Sequence, residues 1–181
     1  MVLAETKIDY NLDSDKDYLP DAWERSIGTD PSNPDSDGDL YLDGTEAAAG
    51  FSPLDPKFHQ WDKLIMVNLA KQQLSYYFGG HKLEEFAISS GLSRTPTPKG
   101  EYQVLNKVPT KTYGGGSFNF YYPNTKWNLH FLTVKYGYYI HGAYWHNKFG
   151  QPMSSGCVNV SYDQMERLYK WAQVGTKIVI E

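Results

Sequence analysis

The sequence predicts a mainly β body, a mixed β-sandwich or barrel-like sheet with one clear helix, behind a small loop-rich N-terminal segment. Three observations predict it. Hydrophobic residues make up 40% and charged residues 21% of 181 residues, a composition able to bury a core. Fifteen tyrosines accompany short apolar runs bounded by turn residues, as expected of pleated sheets. Charge is also unevenly spread. Residues 1–57 carry 14 acids against four bases, a net of −10, and residues 58–181 carry 7 acids against 13 bases, a net of +6. An acidic front and a basic body suggest two units, with the division placed at 1–58 and 59–181.

The front reads as short acidic loops over 11–57. Asp13, Asp15, Asp17, Asp21 and Glu24 stand at positions 1, 3, 5, 9 and 12 of a twelve-residue segment, and Asp35, Asp37, Asp39, Asp43 and Glu46 repeat the pattern. In this spacing alternate oxygens converge on one point, position 7 offers a backbone carbonyl (Leu19, Tyr41), and position 12 can bind through both oxygens; it is the spacing of a calcium loop. A solvated acidic face has no reason to repeat this phase. Tyr18 and Leu40 replace the usual position-6 glycine. The expected cofactor is therefore structural Ca2+, with none for catalysis.

In the body, Leu64–Leu69 and Leu74–Phe78 read as strands, Gly79-Gly80 as a hairpin turn, and Leu83–Ile88 as the return strand. Thr95-Pro96-Thr97-Pro98-Lys99-Gly100 reads as a stiff loop, since each proline fixes φ and excludes helix before it. Glu101–Val108 and Leu129–Ile140 are further strands. Between them, Pro109–Asn128 reads as a long loop of Gly, Asn and aromatics. Ser161 and Gln164 fit a capping box opening a helix that carries Met165, Leu168, Tyr169 and Ala172 and stops at Gly175, and Lys177–Ile180 resumes a strand.

A single cysteine excludes an internal disulfide, and no apolar run approaches the roughly 18 residues that would span a bilayer. Met1–Tyr10 lacks the basic start and apolar stretch of an export signal.

The chemistry concentrates late in the chain. His141 ends an apolar strand beside Gly142, and Cys157 follows Ser154-Ser155-Gly156 shortly before the helix. A thiol among small residues at a turn is poorly placed to be core. Gly156 permits a backbone in which successive N–H groups face one spot, as an oxyanion hole requires. An imidazole can take the thiol proton, and the thiolate is the nucleophile. A buried structural cysteine is the competing reading of the same residues.

These segments resemble the L,D-transpeptidase (YkuD) catalytic domain: His141-Gly142, a spacer, then Ser154, Gly156, Cys157 and Asn159, with Gln72–Tyr77, Ile88-Ser89-Ser90-Gly91 and Thr95–Gly100 upstream. The likeness covers about residues 61–181, and Ser155 stands where many members carry His. The resemblance implies the L,D-transpeptidase fold and a peptidoglycan reaction. Cys157 attacks the stem tetrapeptide, D-Ala leaves, and an amine resolves the thioester. His141 moves protons and is oriented through the Gly142 carbonyl. The amides of Gly156 and Cys157, with Ser155 as a further donor, hold the oxyanion. It implies a substrate-binding role for Ser154, Ser155, Asn159, His146, Trp145 and Tyr122, with Phe118–Tyr122 and Trp127 as a candidate aromatic wall. His59, His81 and His130 are expected to be structural or exposed. An L,D-carboxypeptidase, with water as acceptor, or a non-catalytic wall-binding spacer are the alternatives.

Around the acidic loops, Gly28–Pro31, Asn33-Pro34-Asp35 and Pro53–Pro56 resemble bacterial thrombospondin type 3-like repeats, in which calcium stands in for a core; Asp30, Asn33 and Asp55 are further candidate ligands. The combined resemblance implies an extracytoplasmic place, periplasm or cell wall, with peptidoglycan stem peptides as partners and carbapenems as inhibitors. A monomer is expected, with no nucleic-acid partner.

Overall fold

The computed structural model describes residues 8–116, 120–134 and 137–181. Phe118 and Asn119 of the expected aromatic wall, and Lys135-Tyr136 within the expected Leu129–Ile140 strand, lie outside them. Among the described residues no helix is long and apolar enough to cross a membrane. The chain divides into two compact units, one running to Asp62 with Tyr77–Glu84, the other Lys63–Tyr76 with Glu85–Glu181.

The first unit is more ordered than a string of acidic loops. It holds two short helices, α1 (Asp21–Ile27) and α2 (Asp43–Ala49). Each begins at position 9 of its acidic segment, and a left-handed glycine, Gly28 or Gly50, ends each one. Leu19, Trp23, Ile27 and Ala47 are buried. These helices correct the all-loop expectation: seven residues are too few for a periodic pattern to announce a helix, and so short a helix is held by packing of residues such as Trp23, Ile27 and Ala47.

In the second unit and the hairpin that leaves it, β1 (Lys63–Asn68), β2 (Gln73–Phe78), β3 (His81–Ala87), β4 (Gly100–Gln103) and β9 (Lys177–Ile180) form a sheet in the order β3-β2-β1-β9-β4. Gly79 and Gly80, at φ +56° and +84°, make the expected hairpin turn. A second sheet runs β5 (Asn106–Gly114), β6 (Tyr121–Leu132), β7 (Tyr138–Gly142), β8 (Val158–Val160) in sequence order. Ile65, Val67, Leu74, Ile140, Val158 and Ile178 are fully buried, and Met165 and Leu168 of α3 (Tyr162–Trp171) join them.

Three expectations change. Pro109–Asn128 is not a loop but most of the β5–β6 hairpin, with Val108 opposite Asn128 and Thr110 opposite Lys126. Pro109 is tolerated because β5 is the edge strand. Glu101–Val108 is not one strand, because the chain leaves one sheet after Gln103 and enters the other at Asn106. Leu129–Ile140 is broken between Leu132 and Tyr138. The helix starts after Ser161 as expected but stops at Trp171, short of Gly175, and the Ser161 hydroxyl turns to the Asp163 and Gln164 side chains and caps no amide.

Candidate active site

β7 and β8 lie parallel, with His141 opposite Asn159 and Gly142 opposite Val160. This register sets the imidazole beside the strand that follows the nucleophile. Gly142 is required by packing, since a Cβ there would stand 2.6 Å from the Tyr162 ring. His141 is 2% exposed, and its Nδ1 lies 2.9 Å from the Gly142 carbonyl oxygen. A carbonyl only accepts, so Nδ1 carries the proton and Nε2 keeps its lone pair. Tyr113 stacks on the imidazole with ring centres 4.4 Å apart and is itself held by a 2.8 Å hydrogen bond to Asn128 Oδ1.

Cys157 is half-buried in a turn that three segments brace. Gly156, at φ +121°, occupies a conformation side chains avoid. The Ser154 hydroxyl accepts from the Gly156 N–H at 3.0 Å and donates to the Cys157 carbonyl. Thr97 Oγ1 accepts from the Gly91 N–H at 2.9 Å and donates to the Gly156 carbonyl at 2.8 Å. Gly91 lies so close that a Cβ would meet the backbone of Thr95, Thr97 and Gly156 within 2.9 Å. The Thr-Pro loop thus buttresses the nucleophile turn.

This bracing changes two expected roles. The Gly156 amide, expected to face an oxyanion, is committed to Ser154. Among the described residues the backbone N–H groups of Ser155 and Cys157 donate to no protein acceptor. Ser154, expected to bind substrate, clamps the turn, although it still reaches the cleft wall.

One cleft brings together His141, Cys157, Ser154, Ser155, Asn159, Trp145 and Tyr122, with Tyr113, Phe120 and Met153 completing its wall. Tyr122 and Trp145 stack at 3.9 Å and 5°, and Phe120 continues the stack on Tyr122 at 5.4 Å. His146 touches the site through Asn159. Trp127, expected in the wall, packs on Tyr162 instead. His81 stacks on Trp61 and His130 on Tyr139, in structural roles. Tyr113 and Thr97 were not singled out from the sequence as site residues; an isolated tyrosine in a Gly-rich stretch and a threonine in a Pro-rich one carry no distinguishing signal.

The electrostatics favour a neutral resting pair. Burial pushes the Cys157 thiol up to about 11, with the Tyr139 backbone and the Lys111 ammonium acting the other way. Burial holds His141 down to about 4, against the Gly142 hydrogen bond. At neutral pH the site therefore contains a thiol and an imidazole with a free lone pair, ready to exchange one proton when substrate arrives.

In the acidic unit, oxygens of Asp13, Asp15 and Asp17 lie within 4.8 Å of one another, as do those of Asp35, Asp37 and Asp39. Tyr18 and Leu40 take the left-handed backbone a glycine would supply, at φ +79° and +78°, and their N–H groups bond Asp13 and Asp35. Asp21 and Asp43 depart from the expected ligand role. Each spends its carboxylate on the N–H and hydroxyl of a serine, Ser14 or Ser36, closing the loop from position 9 to position 2. Buried oxygens without a partner remain on Asp15 and Glu24 in the first loop, and on Asp37, Asp39 and Glu46 in the second.

The family model of the L,D-transpeptidase catalytic domain (YkuD) matches residues 62–180. The chain is 28% identical over 142 residues to a putative L,D-transpeptidase YkuD of Bacillus licheniformis, covering 77% of this chain and 79% of that protein. Among solved structures, an Enterococcus faecium L,D-transpeptidase is 27% identical at a TM-score of 0.60, over 73% of this chain and 54% of that one. A Mycobacterium smegmatis L,D-transpeptidase shares the fold at a TM-score of 0.61 and 23% identity, over 68% of this chain and 60% of its own. The chain thus spans less than two thirds of these solved relatives. A further structure of this fold, at 20% identity and a TM-score of 0.61, is a complex with imipenem.

Proposed function

The chain belongs to the family of L,D-transpeptidase catalytic domains (YkuD), and from that premise we propose that it is a peptidoglycan L,D-transpeptidase acting through Cys157 and His141. One observation carries the proposal. The imidazole is tied through Nδ1 to its neighbour's carbonyl, with Nε2 free, in the cleft that also holds the only cysteine.

The reaction runs in two halves. His141 Nε2 takes the thiol proton as Cys157 Sγ attacks the carbonyl between the third and fourth residues of a stem tetrapeptide. The oxyanion is received by the Cys157 and Ser155 amides, worth roughly 3–4 kcal/mol per donor at such sites. The C–N bond breaks, His141 returns its proton to the departing D-Ala amine, and a thioester remains. An acceptor amine then attacks the thioester and gives a proton to His141. The C–S bond breaks and the thiol re-forms. The Tyr122–Trp145 stack offers a flat apolar wall to the donor strand.

The family assignment begins at residue 62, and we keep 59–181 as the catalytic domain and 1–58 as a separate calcium-binding segment of thrombospondin type 3-like character. Asp13, Asp15, Asp17 and Glu24 would hold one ion, and Asp35, Asp37, Asp39 and Glu46 the other, with the Leu19 and Tyr41 carbonyls. The buried, unpartnered oxygens of Glu24 and Glu46 fit a cation. Burial and neighbouring carboxylates push both glutamates up to about 8, which a dication would reverse. Millimolar calcium belongs outside the cytoplasm, so this reading carries an extracytoplasmic location with it.

Mass spectrometry of the products from a disaccharide-tetrapeptide tests the proposal. Cross-linked dimer with loss of D-Ala is expected. Tripeptide alone would make the enzyme a carboxypeptidase, and unchanged donor would reject catalysis. On the likeness to the imipenem complex, we also expect imipenem to acylate Cys157.

A further inference from the structure

Proton transfer from Cys157 puts a positive charge on a buried ring. His141 is 2% exposed, and once Nε2 holds a second proton the ring is an imidazolium. A charge taken out of water needs a partner. Its Nδ1–H donates to the Gly142 carbonyl, which is a neutral acceptor. Among the described residues no aspartate or glutamate lines the cleft. Of the groups that act on the charge, the Gly142 carbonyl favours it, while burial and His146 oppose it. Cys157 is a neutral thiol at rest, and Lys111, with Nζ 5.7 Å from the Tyr113 ring centre and 5.1 Å from that of Tyr139, brings no negative charge.

What the imidazole does meet is a ring face. Tyr113 lies against it with centres 4.4 Å and planes 25° apart. Trp145 is farther, at 5.8 Å and 40°. The face of an aromatic ring is negative, and it attracts a cation within about 6 Å of its centre, most strongly where water is excluded. The Tyr113 face is set before any reaction. Its hydroxyl donates to Asn128 Oδ1 at 2.8 Å. Asn128 is fully buried, and its Nδ2 donates to the Val108 and Thr125 carbonyls at 2.9 and 3.0 Å, which fixes its oxygen toward Tyr113. Asn128 also stands opposite His141 in the β6–β7 pair. One residue therefore sets both the face and the strand that carries the imidazole.

We propose that the ring face of Tyr113 stabilises the imidazolium form of His141 during each proton transfer, supplying the negative charge that no carboxylate in the cleft provides. Tyr113 exchanges no proton and forms no bond in this role. Its part in catalysis rests on the acyl-transfer reading of the cleft. Its hold on the cation does not.

The test varies the charge of the face at nearly constant shape. In the full chain, position 113 is filled by phenylalanine and then by phenylalanines with one, two and three ring fluorines, so loss of the hydroxyl is common to the series. Proton NMR of the histidine rings follows the titration of His141, and intact mass follows acylation of Cys157 by a tetrapeptide donor. Each fluorine is expected to lower the pKa of His141. The logarithm of the acylation rate should fall in step, by roughly tenfold across the series, with KM within twofold. Thermal unfolding midpoints check that packing is unchanged. Tyr113→Leu, which has no face, should lose at least tenfold in kcat with KM within threefold; if it does not fold, the fluorine series stands alone. A titration and a rate that both ignore fluorination would overturn the proposal and reduce the stack to packing. A titration that moves without the rate would overturn the catalytic role. If wild type forms no acyl-enzyme, the transpeptidase reading fails, and the titration alone decides whether the face holds the cation: a falling pKa supports it and a constant one overturns it.

Discussion

Replacing Thr97 with valine tests whether the Thr-Pro loop holds the nucleophile turn. Valine keeps the shape and removes only the hydroxyl. In the folded protein Thr97 is 4% exposed, and its hydroxyl serves the Gly91 N–H and the Gly156 carbonyl at 2.9 and 2.8 Å. The substitution leaves both backbone groups without a partner. Each such group costs about 1–3 kcal/mol, offset in part by the added methyl, so Thr97→Val should destabilise the catalytic body by about 2–4 kcal/mol. Thr97→Ser keeps the hydroxyl and loses one methyl, for about 1 kcal/mol. Urea unfolding followed by tryptophan fluorescence measures both. Cys157 acylation should fall at least tenfold in the valine variant, because a freed Gly156 carbonyl lets the turn shift, and displacements of about 1 Å cost roughly a hundredfold. A valine variant no less stable than the serine one, with acylation intact, would refute the buttress.

Other predictions follow from the same structure. His141→Ala should slow acylation roughly a hundredfold or more with little change in donor binding, measured as kcat against KM; in wild type the acid limb of the acylation profile should fall near pH 4 and not near 6.5, because burial holds the imidazole neutral above about 4. The folded pKa is below the unfolded one, so stability present above pH 6.5 is lost as pH falls toward 4, an acid sensitivity that His141→Gln should reduce in unfolding scans. Leu40 is 92% exposed at φ +78°, so Leu40→Ile should destabilise the acidic unit by about 1–2 kcal/mol without loss of packing, while Leu40→Gly should be neutral or stabilising, read as resistance to proteolysis. Chelation should make residues 11–57 protease-sensitive and leave Cys157 acylation unchanged. Calcium affinity should rise from pH 6 to 8 with protons released, since Glu24 and Glu46, each near 8 without the ion, must ionise to bind it; calorimetry in buffers of different ionisation heat reads this.

The parts of the molecule legible in the sequence are those whose pattern is local. The Gly79-Gly80 turn, the flanking strands and the helix after Ser161 each announce themselves within a dozen residues. The two acidic repeats stand out by their repeated spacing, while His141 and Cys157, 16 residues apart, stand out through their likeness to the L,D-transpeptidase segments. The β5–β6 hairpin is hidden because glycine, asparagine and proline in 109–128 read as loop; the pairing of the two strands with each other overrides their propensity. Both seven-residue helices were hidden in the acidic front by their shortness. Ser154's clamp on Gly156, Tyr113's stack on His141 and Thr97's bridge join residues distant in sequence or act through backbone geometry, and no spacing encodes them.

The central claim is that Cys157 carries the acyl group. The most direct measurement is the intact mass of the full chain after brief incubation with a disaccharide-tetrapeptide and no acceptor, followed by peptide mapping. The predicted result is an adduct of the donor less D-Ala on Cys157, absent in Cys157→Ala and slow to form in His141→Ala. An adduct on another residue, or D-Ala release by Cys157→Ala at the wild-type rate, would contradict the account.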